Sequence, residues 1–173
     1  MNNLSGNLLL SSVALLFSGA PSSAQAHRKV EVPTEIVQQL MNDYEGLSAG
    51  DLRAEMIDLN DDERQELIVQ GDCAAVGNCS TWIYRKTRKG YQQLLNDEAQ
   101  VVKSRRTITH DYHDVVFEVH GSAYESEIRL YKFDGKQYQL KECFFRDYSF
   151  LDKRGRFHTR RRPQITRMKC ESE

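Results

Sequence analysis

The sequence predicts an α+β protein, with one N-terminal amphipathic helix packed on an antiparallel β-sheet meander of six to eight strands. Three observations lead there. Only one segment repeats its apolar residues at helical spacing. A long central stretch reads as strands punctuated by turn signals. The connections between those strands are too short for crossover helices, which excludes βαβ units.

The helix comes from "PTEIVQQLMNDYEGLSAGD", residues 33–51, where Ile36, Val37, Leu40, Met41, Tyr44 and Leu47 recur on one face. Gln38, Gln39, Asn42 and Glu45 occupy the other face, Pro33 or Thr34 opens the helix, and Gly46 or Gly50 ends it. The strands follow as hairpins. "RAEMIDL" and "ELIVQG" flank an acidic loop, "STWIYRKT" and "GYQQLL" flank "RKG", and "AQVVKSRRTI" precedes "DVVFEVHG". "SEIRLYKF" and "QYQLKECFF" flank "DGK", and Asp134-Gly135 between such runs is a type I′ hairpin signal. The helix is expected to cover the apolar face of this sheet.

Residues 1–26 differ from the rest. "LLLSSVALLFSGA" is a short apolar run followed by "PSSAQA", with small residues at Ala24 and Ala26. This is the pattern of a secretory signal peptide cleaved after Ala26, although no Lys or Arg precedes the run. The run is too short for a transmembrane helix, and no later segment is apolar enough for one. The domain plan is therefore a signal peptide at 1–26, a sheet domain with its helix at 27–151, and a basic tail at 152–173. Secreted or periplasmic residence follows.

Cys73, Cys79, Cys143 and Cys170 all lie in the exported part, and an even count in an oxidising compartment reads as disulfides. Cys73 and Cys79 flank the turn-forming "AAVGN", so a local clip is favoured, leaving Cys143 to pair with Cys170 and hold the tail. Loop-closure entropy makes the clip worth about 2 kcal/mol and the longer bridge about 3.5 kcal/mol. No C-x-x-C spacing supports a thiolate metal site.

The acidic loop carries the most chemistry. In "MIDLNDDERQELIVQ", residues 56–70, Asp58, Asn60, Asp62 and Glu66 lie between two apolar runs. Calcium takes six to eight oxygens, which loops supply from carboxylates two residues apart. With Asp58 as position 1, Asn60 is 3, Asp62 is 5, the Arg64 carbonyl is 7 and Glu66 is 9. Position 6, where a sharp turn favours Gly, holds Glu63, at a cost of about 1–2 kcal/mol for a left-handed residue. "DLNDDERQELIV" resembles the calcium loop of FG-GAP/VCBS-type repeats, the D-x-N-x-D-G-x-x-[DE]-L hairpin of integrin-like propeller blades. With "CSTWIYRKTRKGYQQLL" and "YKFDGKQYQ", it is similar to small secreted bacterial proteins of unassigned function carrying this hairpin once. The resemblance implies calcium ligands at Asp58, Asn60, Asp62 and Glu66. A single copy argues against a whole propeller, which needs several blades.

Other constellations are weaker. "THDYHD" brings His110 and His113 close to Asp111 and Asp114, a pattern open to zinc or acid–base work, but it falls where one strand ends and the next begins. Glu118 and His120 are expected to share a solvent-exposed face, and Trp82 with Tyr84 a core face. No nucleophile elbow or phosphate-binding Gly-rich loop is present.

Charge is split along the chain: residues 27–72 hold 12 acids against 4 Lys and Arg, whereas residues 152–173 hold 8 Lys and Arg against 3 acids. "YRKTRKGY" and "RRRPQITRMK" interleave cationic residues with other types, as polyanion-binding surfaces do. For an exported chain this points to polyanionic glycans or anionic membrane surfaces rather than nucleic acid. Charge on an edge hairpin also deters aggregation. The expected function is an exported, monomeric, non-catalytic binding module without a transmembrane anchor. It would take a protein or polyanionic glycan partner in the envelope and a structural calcium at 58–66. Two alternatives stand beside it: a small periplasmic hydrolase using His110 and His113, and an inhibitor of a secreted enzyme presenting the Cys73–Cys79 clip.

Overall fold

The computed structural model describes residues 28–170, so the signal segment and its cleavage point lie outside the described residues. Strands β1 (Arg28–Val30), β2 (Arg53–Ile57), β3 (Glu66–Cys73), β4 (Cys79–Thr87) and β5 (Gly90–Ala99) form one antiparallel sheet in chain order. Strands β6 (Val101–Thr109), β7 (Tyr112–His120), β8 (Glu125–Phe133), β9 (Tyr138–Leu151) and β10 (Phe157–Met168) form a second. Helix α1 (Thr34–Asp43) lies between β1 and β2.

The α+β expectation is thereby corrected. The described residues are mostly β, with ten strands in two five-stranded sheets rather than six to eight in one. The short helix follows a strand instead of leading the chain, and it ends at Asp43, leaving Leu47 in a loop. The basic segment expected as a tail is strand β10, antiparallel to β9.

The reason lies in β3 and β4. Leu67 is opposite Tyr84, and Val69 opposite Trp82, so these four share one face. With Ile36, Leu40, Leu52 and Ala54 they make the core under the helix. Ile68 opposite Ile83 faces the other way, into a second core with Leu94, Leu95, Val115, Phe117 and Tyr131. A strand alternates its side chains between faces, so an unbroken apolar run is stable only where both faces are covered. Trp82 and Tyr84 are fully buried, as expected of core residues. Tyr44, at the helix C-cap, meets the Trp82 ring at 5.2 Å and accepts hydrogen bonds from Trp82 Nε1 at 3.3 Å and Asn96 Nδ2 at 2.8 Å.

The sheets join at Gln100, whose N–H donates to the Glu118 carbonyl at 2.9 Å. Between the layers, Arg129 donates to Asp97 at 2.6 Å, and the Tyr131 hydroxyl donates to the same carboxylate. Cys73 is bonded to Cys79, and Cys143 to Cys170. The clip is itself tied to the second sheet, because Asn78 exchanges two hydrogen bonds with the His120 backbone, at 2.9 and 2.8 Å. These disulfides fit an extracellular or periplasmic location.

Turn chemistry differs from the expected pattern. Asp134 and Gly135 open a four-residue loop in which the Asp134 carboxylate accepts the N–H groups of Lys136 and Gln137, both at 2.8 Å. The left-handed pair that a type I′ turn requires falls instead on His110-Asp111, with φ of 49° and 65°.

Double-sided burial makes a direct prediction. Ile83→Ala should lower unfolding stability by about 3 kcal/mol. Ile108→Ala, on a side chain 57% exposed, should change it by less than about 0.5 kcal/mol. Urea unfolding of both variants measures the contrast.

Candidate functional site

The acidic loop hangs between β2 and β3, whose last ladder pair is Ile57 opposite Glu66. Its polar side chains turn back on the loop's own backbone. Asp58 accepts the N–H of Asn60 at 3.2 Å and of Glu63 at 3.0 Å. Asn60 accepts from Asp62 at 3.3 Å, and Asp62 from Arg64 at 2.8 Å. Glu63 does adopt the left-handed conformation, with φ of 64°, as does Asp61 at 55°. The Glu63 N–H donates to Asp58 in this conformation, which a Gly at position 63 would adopt without the steric cost.

Glu66 is placed differently from the other three. Its carboxylate is buried and accepts the Leu59 N–H at 2.9 Å and the Tyr112 hydroxyl at 3.3 Å. Burial raises its pKa to about 7, with the nearby charges of Asp62 and Asp58 adding to the rise. The four residues therefore do not present one open set of oxygens. Asp58, Asn60, Asp62 and the Arg64 carbonyl are hard donors suited to calcium, while Glu66 joins the loop to the core. Among the described residues no three His, Cys, Asp or Glu side chains form a metal-holding group.

Beside the loop is a cleft of about 560 Å³ lined by Asn60, Asp62, Arg85, His110, Tyr112 and Phe133, among others. Arg85 forms one wall. Its guanidinium lies 5.8 Å from the Tyr112 ring centre and 6.0 Å from that of Phe133, and donates to Gln92 at 2.8 Å and to the Tyr112 hydroxyl at 3.3 Å. Burial also raises the Tyr112 pKa.

The two histidines serve different neighbours. His110 Nδ1 is 2.9 Å from the Phe133 carbonyl, whereas His113 Nε2 is 3.0 Å from Asp61. His113 Nδ1 is buried and has no hydrogen-bond partner. Asp111 lies in the turn, and Asp114 is buried under Thr107 and Thr109, which donate to it at 2.7 Å each. Glu118, expected to be exposed, is buried by Lys103 and Arg146, each 2.7 Å from it. The reason is that long cationic side chains fold over the outer face of the sheet.

A second candidate surface lies at the other end. The last β9 residue paired with β8 is Asp147, opposite Glu125. Tyr148 still donates its N–H to the Tyr124 carbonyl at 2.9 Å, and beyond it β9 pairs with β10 through Ser149–Thr159, Phe150–His158 and Leu151–Phe157. This ribbon is exposed at Phe150, Leu151 and Phe157. The Arg160 guanidinium lies 5.2 Å from the centre of the Phe150 ring, and that ring stacks on His158. No protein-family model, curated protein or solved structure matches the chain.

Sequence reasoning missed the burial of Glu66 and the half-burial of Arg85, although the signal was present. Glu66 shares strand parity with Ile68, and Arg85 with Ile83, so both belong on the face toward the second sheet.

The buried carboxyl fixes a pH dependence. Folded Glu66 holds its proton up to about pH 7, whereas an unperturbed Glu releases it near 4.5. Its contribution is therefore complete below about pH 4.5 and is lost as pH rises through 7. Glu66→Gln removes that dependence. In EDTA, the stability of the variant relative to the unaltered protein should rise by on the order of 2–3 kcal/mol between pH 5 and pH 8. Equal urea midpoint shifts at the two pH values would contradict it.

Proposed function

We propose that this chain is an exported, non-catalytic binding module whose docking surface is the β9–β10 ribbon. The observation that carries the reading is the pairing of exposed apolar side chains with a strongly cationic segment. Leu151 is 68% exposed and Phe157 54% exposed, within a stretch holding Lys153, Arg154, Arg156, Arg160, Arg161 and Arg162. Contiguous apolar side chains rimmed by charge are the usual mark of an interaction site. A two-stranded ribbon is marginal by itself, so covering it is favourable. Two disulfides support an extracellular or periplasmic setting.

The same reading takes the 58–66 loop as a structural calcium site held by Asp58, Asn60, Asp62 and the Arg64 carbonyl. Calcium would supply charge compensation for three closely spaced carboxylates, those of Asp58, Asp61 and Asp62, and stiffen the link between β2 and β3. Support comes from the oxygen donors at alternating positions, Asp58, Asn60 and Asp62, in a loop that turns sharply at the left-handed Glu63.

Two experiments test these statements. On a heparin column the protein should elute at clearly higher salt than its Arg160→Gln, Arg161→Gln, Arg162→Gln variant, since exposed cation contacts with a polyanion are salt-sensitive. Equal elution would remove the ribbon as the docking surface. In thermal unfolding, calcium at one hundred times its dissociation constant should add about 2.7 kcal/mol over EDTA, and Asp58→Ala should abolish the gain. A melting point indifferent to calcium would end the calcium reading.

A further inference from the structure

We propose that the β9–β10 ribbon docks the protein on an anionic lipid bilayer, with Leu151 and Phe157 entering the interfacial zone and Lys153 and Arg154 meeting lipid phosphates. This rests on the reading of the ribbon as the docking surface and adds the class of partner. Leu151 and Phe157 are opposite one another at the last rung before the turn, so their side chains share one face of the ribbon. Phe157 is held in place by Tyr124, ring centres 5.1 Å apart. The turn itself carries Lys153, Arg154 and Arg156 against the single acid Asp152.

That acid is used internally. Asp152 accepts the N–H groups of Arg154 at 2.8 Å and Arg156 at 3.0 Å, and the Arg156 side chain at 2.9 Å. The turn is therefore shaped in advance, and its carboxylate is engaged by the loop itself. Behind it, Arg160, Arg161 and Arg162 occupy the irregularity where the β9–β10 register shifts between Thr159 and Gln164.

The combination selects among anionic partners. A polyanionic glycan would use the cations, but its hydroxylated, charged surface gives an exposed aliphatic side chain such as Leu151 little apolar area to bury against. A bilayer surface uses both, because lipid phosphates attract Lys and Arg while aromatic and aliphatic side chains settle at the headgroup level. Edge protection explains cations on β10 but not exposed Leu and Phe beside them, which would promote the association that edge charges prevent.

The test uses the purified protein, vesicles of phosphatidylglycerol with phosphatidylcholine, vesicles of phosphatidylcholine alone, and the heparin column. Sedimentation should show binding to the anionic vesicles at least tenfold tighter than to the neutral ones, weakened by high salt. Lys153→Gln with Arg154→Gln should weaken vesicle binding by about twenty-five-fold, near fivefold for each cation. Leu151→Ser with Phe157→Ser should weaken vesicle binding at least tenfold and leave heparin elution unchanged; both positions are exposed, and circular dichroism checks folding. Retention on heparin without vesicle binding would overturn the membrane proposal in favour of a glycan partner while the docking-surface reading stands. Vesicle binding unaffected by the Ser variant would overturn the insertion of Leu151 and Phe157. Loss of both heparin and vesicle binding would overturn the two readings together.

Discussion

The structure depends on β3 and β4 being buried on both faces. Leu67, Val69, Trp82 and Tyr84 face the helix, while Ile68 and Ile83 face the second sheet. Covering one face takes a single ten-residue helix. Covering the other takes β6 to β8, which bring Val115, Phe117 and Tyr131 against it. The three layers follow from one requirement, that apolar surface on a central strand must leave water on both sides. The layers are not equal: among the described residues no helix covers the outer face of the second sheet, which is finished by ion pairs such as Lys103–Glu118–Arg146.

Polar groups caught between the layers are satisfied by specific partners, as burial demands. Asp97 takes Arg129 and Tyr131 from the facing sheet. Glu66 takes Leu59 and Tyr112, which couples the acidic loop to the core and to the β7 strand. The His113 N–H donates to the Leu59 carbonyl at 2.7 Å, so the loop is held from the second sheet as well. The loop is consequently part of the architecture whatever it binds. The ribbon at 149–159 is the contrasting case, since it extends past the last β8 pairing and keeps apolar side chains in water.

Much of this was legible locally. The helix, the sequence of hairpins and the cysteine pairing follow from periodicity, turn residues and short spacing. Two-sided burial was harder, because an unbroken run such as "ELIV" or "TWIY" fits one sheet with a helix as readily as a three-layer stack. The turns show the same limit. Asp134-Gly135 carried the stronger signal, yet its carboxylate closed a four-residue loop, and the left-handed pair fell on His110 and Asp111. At the candidate site the spacing of Asp58, Asn60 and Asp62 was readable and the parity of Glu66 with Ile68 indicated its face, but only the facing sheet shows that Tyr112 meets it.

The sequence by itself determined one amphipathic helix, successive antiparallel hairpins, an acidic loop and a basic C-terminal segment. Each of these depends on composition or on residues within a few positions of one another. Tertiary structure alone decided that the hairpins divide into two sheets, that Glu66 and Arg85 are drawn into the space between them, and that the basic segment is an edge strand. Those outcomes depend on contacts between residues far apart in the chain, where packing and desolvation outweigh local preference. The exposed Leu151 and Phe157 beside the cations of the turn are visible only once that edge is built.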